Sequence, residues 1–223
     1  MENYLRDKFK MYEIRGYKID LESRHSFTQV LGEIRMDVYD FDLADIKDGD
    51  VIVDIGAHIG VFSCYAAVKY PKAKVFAFEP AAETFADLLK NTKPHGNIVA
   101  YNLGVSDKPE LELQYLPHMN YSSSACYSKD VAGAVKETVT CLTLDEIIDM
   151  VGDIKFLKMD CEGAEWDIIP KCTKLNRVKY LSCELHTGLK NTDMAAFKAA
   201  IRPHFTTETF RGHCVEKELA EGI

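Results

Sequence analysis

The chain has 223 residues, 47% hydrophobic and 28% charged, a globular balance that excludes a disordered or fibrous protein. Its 27 basic against 35 acidic residues, net charge −8, oppose a grip on a phosphate backbone, so nucleic acid is not an expected partner. The most apolar stretch, 61–68, falls far short of the ~20 residues that span a bilayer, and seven cysteines with no Cys-x-x-Cys pair read as reduced thiols of a cytoplasmic protein without a signal peptide or membrane partner.

At ~150 residues per domain, one domain over 1–223 is expected, with 1–45 as a cap or extension and 46–223 as the core. In the first part Leu5, Phe9 and Tyr12 fall at helical spacing, and "GYKIDL" and "MDVYDFDL" then alternate like half-exposed strands. From residue 50 onward short apolar runs alternate with helical patterns. Strands are predicted at 51–55, 74–79, 98–102, 155–160 and 178–184, and most read as continuous runs that suit parallel strands covered on both faces. Helices are predicted at 61–70, 81–92, 143–152, 164–172 and 193–202. This alternation is the signature of an α/β, doubly wound sheet. Thr143 and Glu146 have capping-box spacing, and Leu144, Ile147, Ile148 and Val151 then form one apolar stripe. Residues 118–134, rich in Ser and lacking a period, are the candidate lid, and "FTTETF" and "CVEKEL" read as a C-terminal antiparallel hairpin.

The first strand runs into a glycine turn, "VIVDIGAHIG", at a place where helix amides and bare backbone can approach a ligand closely. A dinucleotide site would need glycines where His58 and Val61 stand, and a nucleoside triphosphate site would need a lysine after Gly60. The remaining candidate carries no phosphate: S-adenosylmethionine. Asp54 at the strand end suits a cation, Gly56 and Gly60 leave room for a nucleoside, and Ala57 and His58 complete the turn. Glu79, at the end of the second strand and followed by Pro80, can accept both ribose hydroxyl hydrogens. Asn102, in "NLG" with Leu103 and Gly104, falls where an amide reaches a ribose or base edge. Taken singly, Asp54 reads as a helix cap and Glu79 as a solvated acid; the two at matching strand ends favour cofactor binding.

These residues resemble a known family, the FkbM-type S-adenosylmethionine-dependent methyltransferases. The matching pieces are "VIVDIGAHIGVFS", "VFAFEPAAETFADLLKNT", "NIVAYNLGVSD", "LTLDEII", "IKFLKMDCEGAEWDII" and "VKYLSCELH", in family order over roughly 45–190. The resemblance implies a Rossmann-like, seven-stranded sheet and methylation of natural products or sugars, chiefly at oxygen. It matches Asp54, Gly56 and Gly60 to the first cofactor motif, Glu79 to the ribose acid, and Asp160 to the acidic strand end beside the sulfonium. Where such families carry a small or amide residue, often asparagine, this chain has His58, whose role stays open.

Removing a proton from a hydroxyl acceptor calls for a base, typically worth ~100- to 10,000-fold, and the candidates cluster in "DCEGAE" and "CELH". Asp160 ends the fourth strand and Gly163 permits a turn that aims Asp160 and Glu162 into the crevice. Glu184 and His186 share one face if the fifth strand continues that far, an imidazole oriented by a carboxylate. Glu165 and Asp167 fall in the first turn of the next helix, where acids stabilise the helix dipole. Together Asp160, Glu162, Glu184 and His186 could ligate a divalent cation, but no dedicated ligand spacing supports one and no metal is assigned. The expected function is thus methyl transfer to a small-molecule acceptor, most simply a hydroxyl oxygen. Alternatives are N-methylation, a non-catalytic cofactor-binding module and, least favoured, a dinucleotide oxidoreductase. A homo-oligomer is compatible with each.

Overall fold

The computed structural model describes residues 9–14, 17–22, 28–115, 135–186 and 192–205. In chain order its elements begin with an antiparallel pair, β1 (Phe9–Ile14) and β2 (Tyr17–Glu22), then helix α1 (Thr28–Met36) and a 3-10 turn at Phe41–Ala44. Strand β3 (Val51–Ile55), helix α2 (Val61–Lys69), strand β4 (Lys74–Phe78), helix α3 (Ala82–Thr92) and strand β5 (Ile98–Tyr101) follow. Next come short β6 (Gly104–Val105), β7 (Glu110–Tyr115) and β8 (Val135–Leu142), then α4 (Leu144–Val151), β9 (Ile154–Met159), α5 (Glu165–Lys171), β10 (Val178–Cys183) and α6 (Met194–Ile201).

Five strands form one all-parallel sheet in the order β10-β9-β3-β4-β5. Their side chains alternate between two apolar cores. Ile52 and Phe156 join Phe41, Phe62 and Tyr65 on one face, while Val53, Ile55, Leu157 and Met159 join Ile147, Ile148, Trp166 and Phe197 on the other. Each such large side chain, fully buried, contributes about 1.5–3 kcal/mol, so both faces must be covered for the sheet to persist. Helix α2 presents seven buried residues, Val61 through Ala67, which explains a run that is apolar around most of its circumference. The Thr143 capping box is present: the Thr143 hydroxyl accepts from Glu146 N–H at 3.1 Å, and Glu146 Oε2 accepts from Thr143 N–H at 2.8 Å.

The strand order locates the site. After β3 the chain moves outward through β4 to β5, then returns to lay β9 on the other side of β3. The C-terminal ends of β3 and β9 are therefore a topological switch point, where connections diverge and leave a crevice. Gly56 follows β3 and Asp160 follows β9.

The five core strands and five helices lie within a residue or so of their predicted bounds. The N-terminal reading is corrected twice. Phe9 and Tyr12 lie in strand β1, not a helix, because a six-residue antiparallel partner follows at once and its ladder outweighs three residues at helical spacing. The "MDVYDFDL" segment is turn and 3-10 helix. Asp37, Asp40 and Asp45 sit at φ 53°, 51° and 47°, and the Asp37 carboxylate accepts from Phe41 N–H at 3.0 Å, a local bond that competes with strand pairing. A separate sheet, β6-β8-β7, was not anticipated, although Leu111, Leu113, Val139 and Cys141 repeat at period two and pack together. Among the described residues the central sheet has five strands; the predicted hairpin at 205–219, apart from Phe205, and the lid at 118–134 lie outside the described residues. Among the described residues, no helix is long and apolar enough to cross a membrane, and Cys64, Cys141, Cys161, Cys172 and Cys183 are free thiols.

Candidate active site

The turn after β3 is built by close approach. Gly56, at φ 73°, lies so near the end of β9 that a Cβ placed on it would stand 1.8 Å from the Asp160 carbonyl oxygen. Glycine is therefore required there both for conformation and for space. The Gly56 and Ala57 N–H groups both donate to the Phe78 carbonyl at 3.0 Å, which ties the turn to β4. Gly60, at φ 88°, caps α2, and a Cβ there would meet Leu88 of α3 at 2.7 Å. Between them His58 takes a left-handed φ of 52°, and its N–H donates to Glu79 Oε2 at 3.0 Å.

Glu79 is buried just past β4. Its second oxygen, Oε1, accepts from Ala81 N–H at 3.0 Å, so the carboxylate bridges the glycine turn and the start of α3. Burial raises its pKa to about 7, against the lowering effect of the Ala81 and His58 N–H groups and of Lys158. Asn102 directs its amide N–H group to the carbonyls of Glu79 (3.0 Å) and Pro80 (2.8 Å), fixing the peptide that carries Glu79. Leu103 packs into the second core, and Gly104 pairs with Cys141 in the small sheet.

Asp54 is fully buried and does not open directly onto solvent. Its Oδ2 accepts from the Ser63 hydroxyl at 2.7 Å, while Oδ1 has no hydrogen bond of good geometry and faces the Lys158 ammonium at 3.2 Å. Asp54 and Lys158 are register partners on β3 and β9, so their side chains share one sheet face. Lys158 also donates to the Gly56 carbonyl at 3.1 Å and lies 3.8 Å from Asp160 Oδ2. Burial alone would lower its pKa, but Asp54 and Asp160 outweigh that penalty and hold it above the ordinary lysine value. A lysine between the apolar Leu157 and Met159 was the available signal for this pair, and it was missed. Tyr39 was missed too. It is buried, its ring lies 5.7 Å from the Lys158 ammonium, and its hydroxyl donates to Glu33 at 2.8 Å, which brings the N-terminal segment to the site.

Beyond β9 and β10 the structure gathers all four predicted acid and base residues. His186 Nε2 lies 3.5 Å from Glu162 Oε2, 3.9 Å from Asp160 Oδ1 and 4.0 Å from Glu184 Oε1. Strand β10 ends at Cys183, so Glu184 and His186 meet across a loop and not along a strand face. Glu162 occupies the left-handed region at φ 52°, followed by Gly163 at φ 103°. Burial and the neighbouring acids raise Glu162 to about 7; burial, Asp160 and Glu33 do the same for Glu184. For His186, burial pulls the pKa down, but Glu165, Glu162 and Asp160 prevail and raise it to about 9. The imidazolium thus supplies positive charge among carboxylates at neutral pH. One donor atom each of Asp160, Glu162 and His186 lie within 4.8 Å of one another, so a small cation would also fit that spacing.

The carboxylate nearest His186 Nδ1 is Glu165, at 3.6 Å, not Glu184. Glu165 is fully buried, and it accepts from the N–H groups of Cys161 and, at 2.9 Å, Gly163. A role confined to the helix dipole does not describe it.

The chain is similar to several known proteins. The family model described as the methyltransferase FkbM domain matches residues 54–205. "Methyltransferase 1" of Beauveria bassiana is 30% identical over 188 residues, covering 74% of this chain and 72% of that protein. "Hexuronic acid methyltransferase AglP" of Haloferax volcanii is 26% identical over 157 residues, covering 68% of this chain and 62% of its own length. Among solved structures, P. horikoshii TYW2 in complex with MeSAdo is 29% identical over 44% of this chain and 37% of that one, with a TM-score of 0.33. With the family motif spread over both sides of the switch point, the chain belongs to the FkbM methyltransferase family.

Proposed function

We propose that this protein transfers a methyl group from S-adenosylmethionine to a hydroxyl oxygen of a small molecule. The observation that carries the reading is the charge of the switch-point crevice. Asp54, Glu79, Asp160, Glu162, Glu165 and Glu184 stand there against the two cations Lys158 and His186. Such a donor set repels a phosphate and suits a ligand bearing a sulfonium, an ammonium and ribose hydroxyls. When bound, the cofactor supplies an electrophilic methyl group on positively charged sulfur.

The chain's own residues then have separable roles. Glu79 keeps a free lone pair on each oxygen beyond its two backbone bonds and can accept ribose hydroxyl hydrogens. Asp54 and Lys158 hold the β3 and β9 ends together, so that the glycine turn and Asp160 keep their spacing. Asp160 faces the crevice beside Lys158 and His186. His186, charged at neutral pH and titrating near 9, can take up an acceptor's proton only after giving its own Nε2 proton to Glu162 or Glu184, which titrate near 7, so the three exchange it as a group. Positioning supplies the larger share of the rate, up to about 7–11 kcal/mol where two reactants are held in line. We further read residues 1–45 as a cap or extension completing the core of a single domain, and the free thiols as suited to a reducing compartment.

The test is acceptor-dependent release of S-adenosylhomocysteine across a panel of alcohols and amines. Turnover with alcohols supports the reading, turnover with amines alone moves the transfer to nitrogen, and binding without any turnover makes the protein a cofactor-binding module.

A further inference from the structure

Resting on the reading that His186 exchanges the acceptor's proton, we propose that Glu165 is its positioning residue: it holds the Nδ1 side of the ring from beneath and leaves Nε2 as the proton-exchanging atom. A carboxylate is costly to bury, and on an exposed helix end none would be needed in the interior to complement the dipole. Glu165 is nevertheless fully buried in the first turn of α5. Its two oxygens accept from the N–H groups of Cys161 and Gly163, on either side of Glu162. Those bonds hold the turn in which Glu162, a non-glycine residue, sits at positive φ.

The same carboxylate reaches His186. Oε1 lies 3.6 Å from Nδ1, just beyond a hydrogen bond and within reach of a small ring rotation. Nδ1 is buried and has no other partner, whereas Nε2 faces the half-exposed Asp160, Glu162 and Glu184. The next residue of the helix completes the hold, since the Trp166 indole N–H donates to the His186 carbonyl at 2.7 Å. Helix α5 therefore grips His186 at ring and backbone. A carboxylate behind one ring nitrogen sets which nitrogen carries the proton in the neutral form. The acids facing Nε2 at 3.5–4.0 Å are partly exposed, whereas Glu165 is fully buried and pinned by two backbone N–H groups, so when the ring is neutral Nδ1–H is favoured and Nε2 is the atom that has lost its proton.

The consequence is measurable without knowing the acceptor, by nuclear magnetic resonance of the histidine rings in the full chain. In the wild type, neutral His186 is expected as the Nδ1–H tautomer. Glu165→Gln should lower the His186 midpoint by at least one pH unit and mix the tautomers. Glu165→Asp should restore part of the shift. Asp167→Asn on the same helix should change neither. Asp160, Glu162 and Glu184 also face the ring, with Lys158 beside Asp160, and all remain in every variant, so they set a common background. An Nε2–H tautomer in the wild type would overturn the proposal, and so would an unchanged midpoint in a folded Glu165→Gln protein. Should that variant not fold, the wild-type tautomer decides alone. Calorimetric titration of the same wild-type sample with S-adenosylmethionine separates the two readings: absent binding sinks methyl transfer whatever the tautomer.

Discussion

The two sides of the switch point use acids in opposite ways. On the β3–β4 side Asp54 and Glu79 are buried and already engaged, by Lys158 and Ser63 in one case and by backbone N–H groups in the other. On the β9–β10 side Asp160, Glu162 and Glu184 are partly exposed and crowd one imidazole at 3.5–4.0 Å, too far for short hydrogen bonds. The first arrangement fixes a shape. The second stores negative charge that a proton or a cationic ligand can relieve, and three of its groups titrate between about 7 and about 9. The two loops meet where Gly56 approaches the Asp160 carbonyl and where Lys158 reaches Asp54 and the Gly56 carbonyl.

If shape is the task of the first side, its most damaging substitution is Gly56→Ala, which places a methyl group 1.8 Å from a backbone oxygen. We expect a loss of about 4 kcal/mol or more of stability, or no folded protein, by chemical denaturation. Gly32→Ala is the contrast: nothing lies within 4 Å of its Cβ, it is in the interior of α1, and a gain of about 0.5–1 kcal/mol is expected. Next in size is Lys158→Met, which leaves Asp54 buried without its counter-charge and should cost about 3–5 kcal/mol. Adding Asp54→Asn to it should recover part of that loss; strictly additive costs would show that the pair is not coupled.

A smaller effect concerns Glu79. The unfolded chain releases this proton near the ordinary value of 4.5, whereas the folded protein keeps it to about 7. The folded state therefore binds more protons in that window, and its contribution to stability declines as pH rises from about 4.5 through about 7. Glu79→Gln should remove this increment from the pH profile of stability. A ligand whose hydroxyls need the ionised carboxylate should also release a proton on binding near pH 6.5. Calorimetry in two buffers of different ionisation enthalpy would detect that release, and Glu79→Gln should abolish it. Smallest of all, Thr143→Ala removes a capping box remote from both loops and should cost about 1 kcal/mol with cofactor affinity unchanged.

Much of the framework was legible because parallel strands and their helices write strong periodic patterns, and the Thr143 cap has a local spacing that needs no tertiary partner. Strand-end positions such as Glu79 and Asp160 were legible for the same reason: once strands are placed, their ends are. What tertiary contact decides was not. Asp54 reads as a helix cap or a cofactor's counter-charge until Lys158 is seen opposite it, 104 residues later in the sequence. Glu165 reads as a dipole acid until its turn folds back beneath His186. The turn with left-handed aspartates at 37, 40 and 45 was hidden by local bonding, such as that of Phe41 N–H to the Asp37 carboxylate, which overrides a weak alternation.

The central claim, that the acid-lined switch point is a S-adenosylmethionine site, is tested most directly by isothermal titration of the wild-type protein and Glu79→Ala with S-adenosylmethionine, with NADH as the competitor class. Saturable, one-to-one S-adenosylmethionine binding that weakens at least tenfold in Glu79→Ala, with no NADH binding, is the predicted result. Saturable NADH binding with none for S-adenosylmethionine, or an affinity indifferent to Glu79, would contradict it.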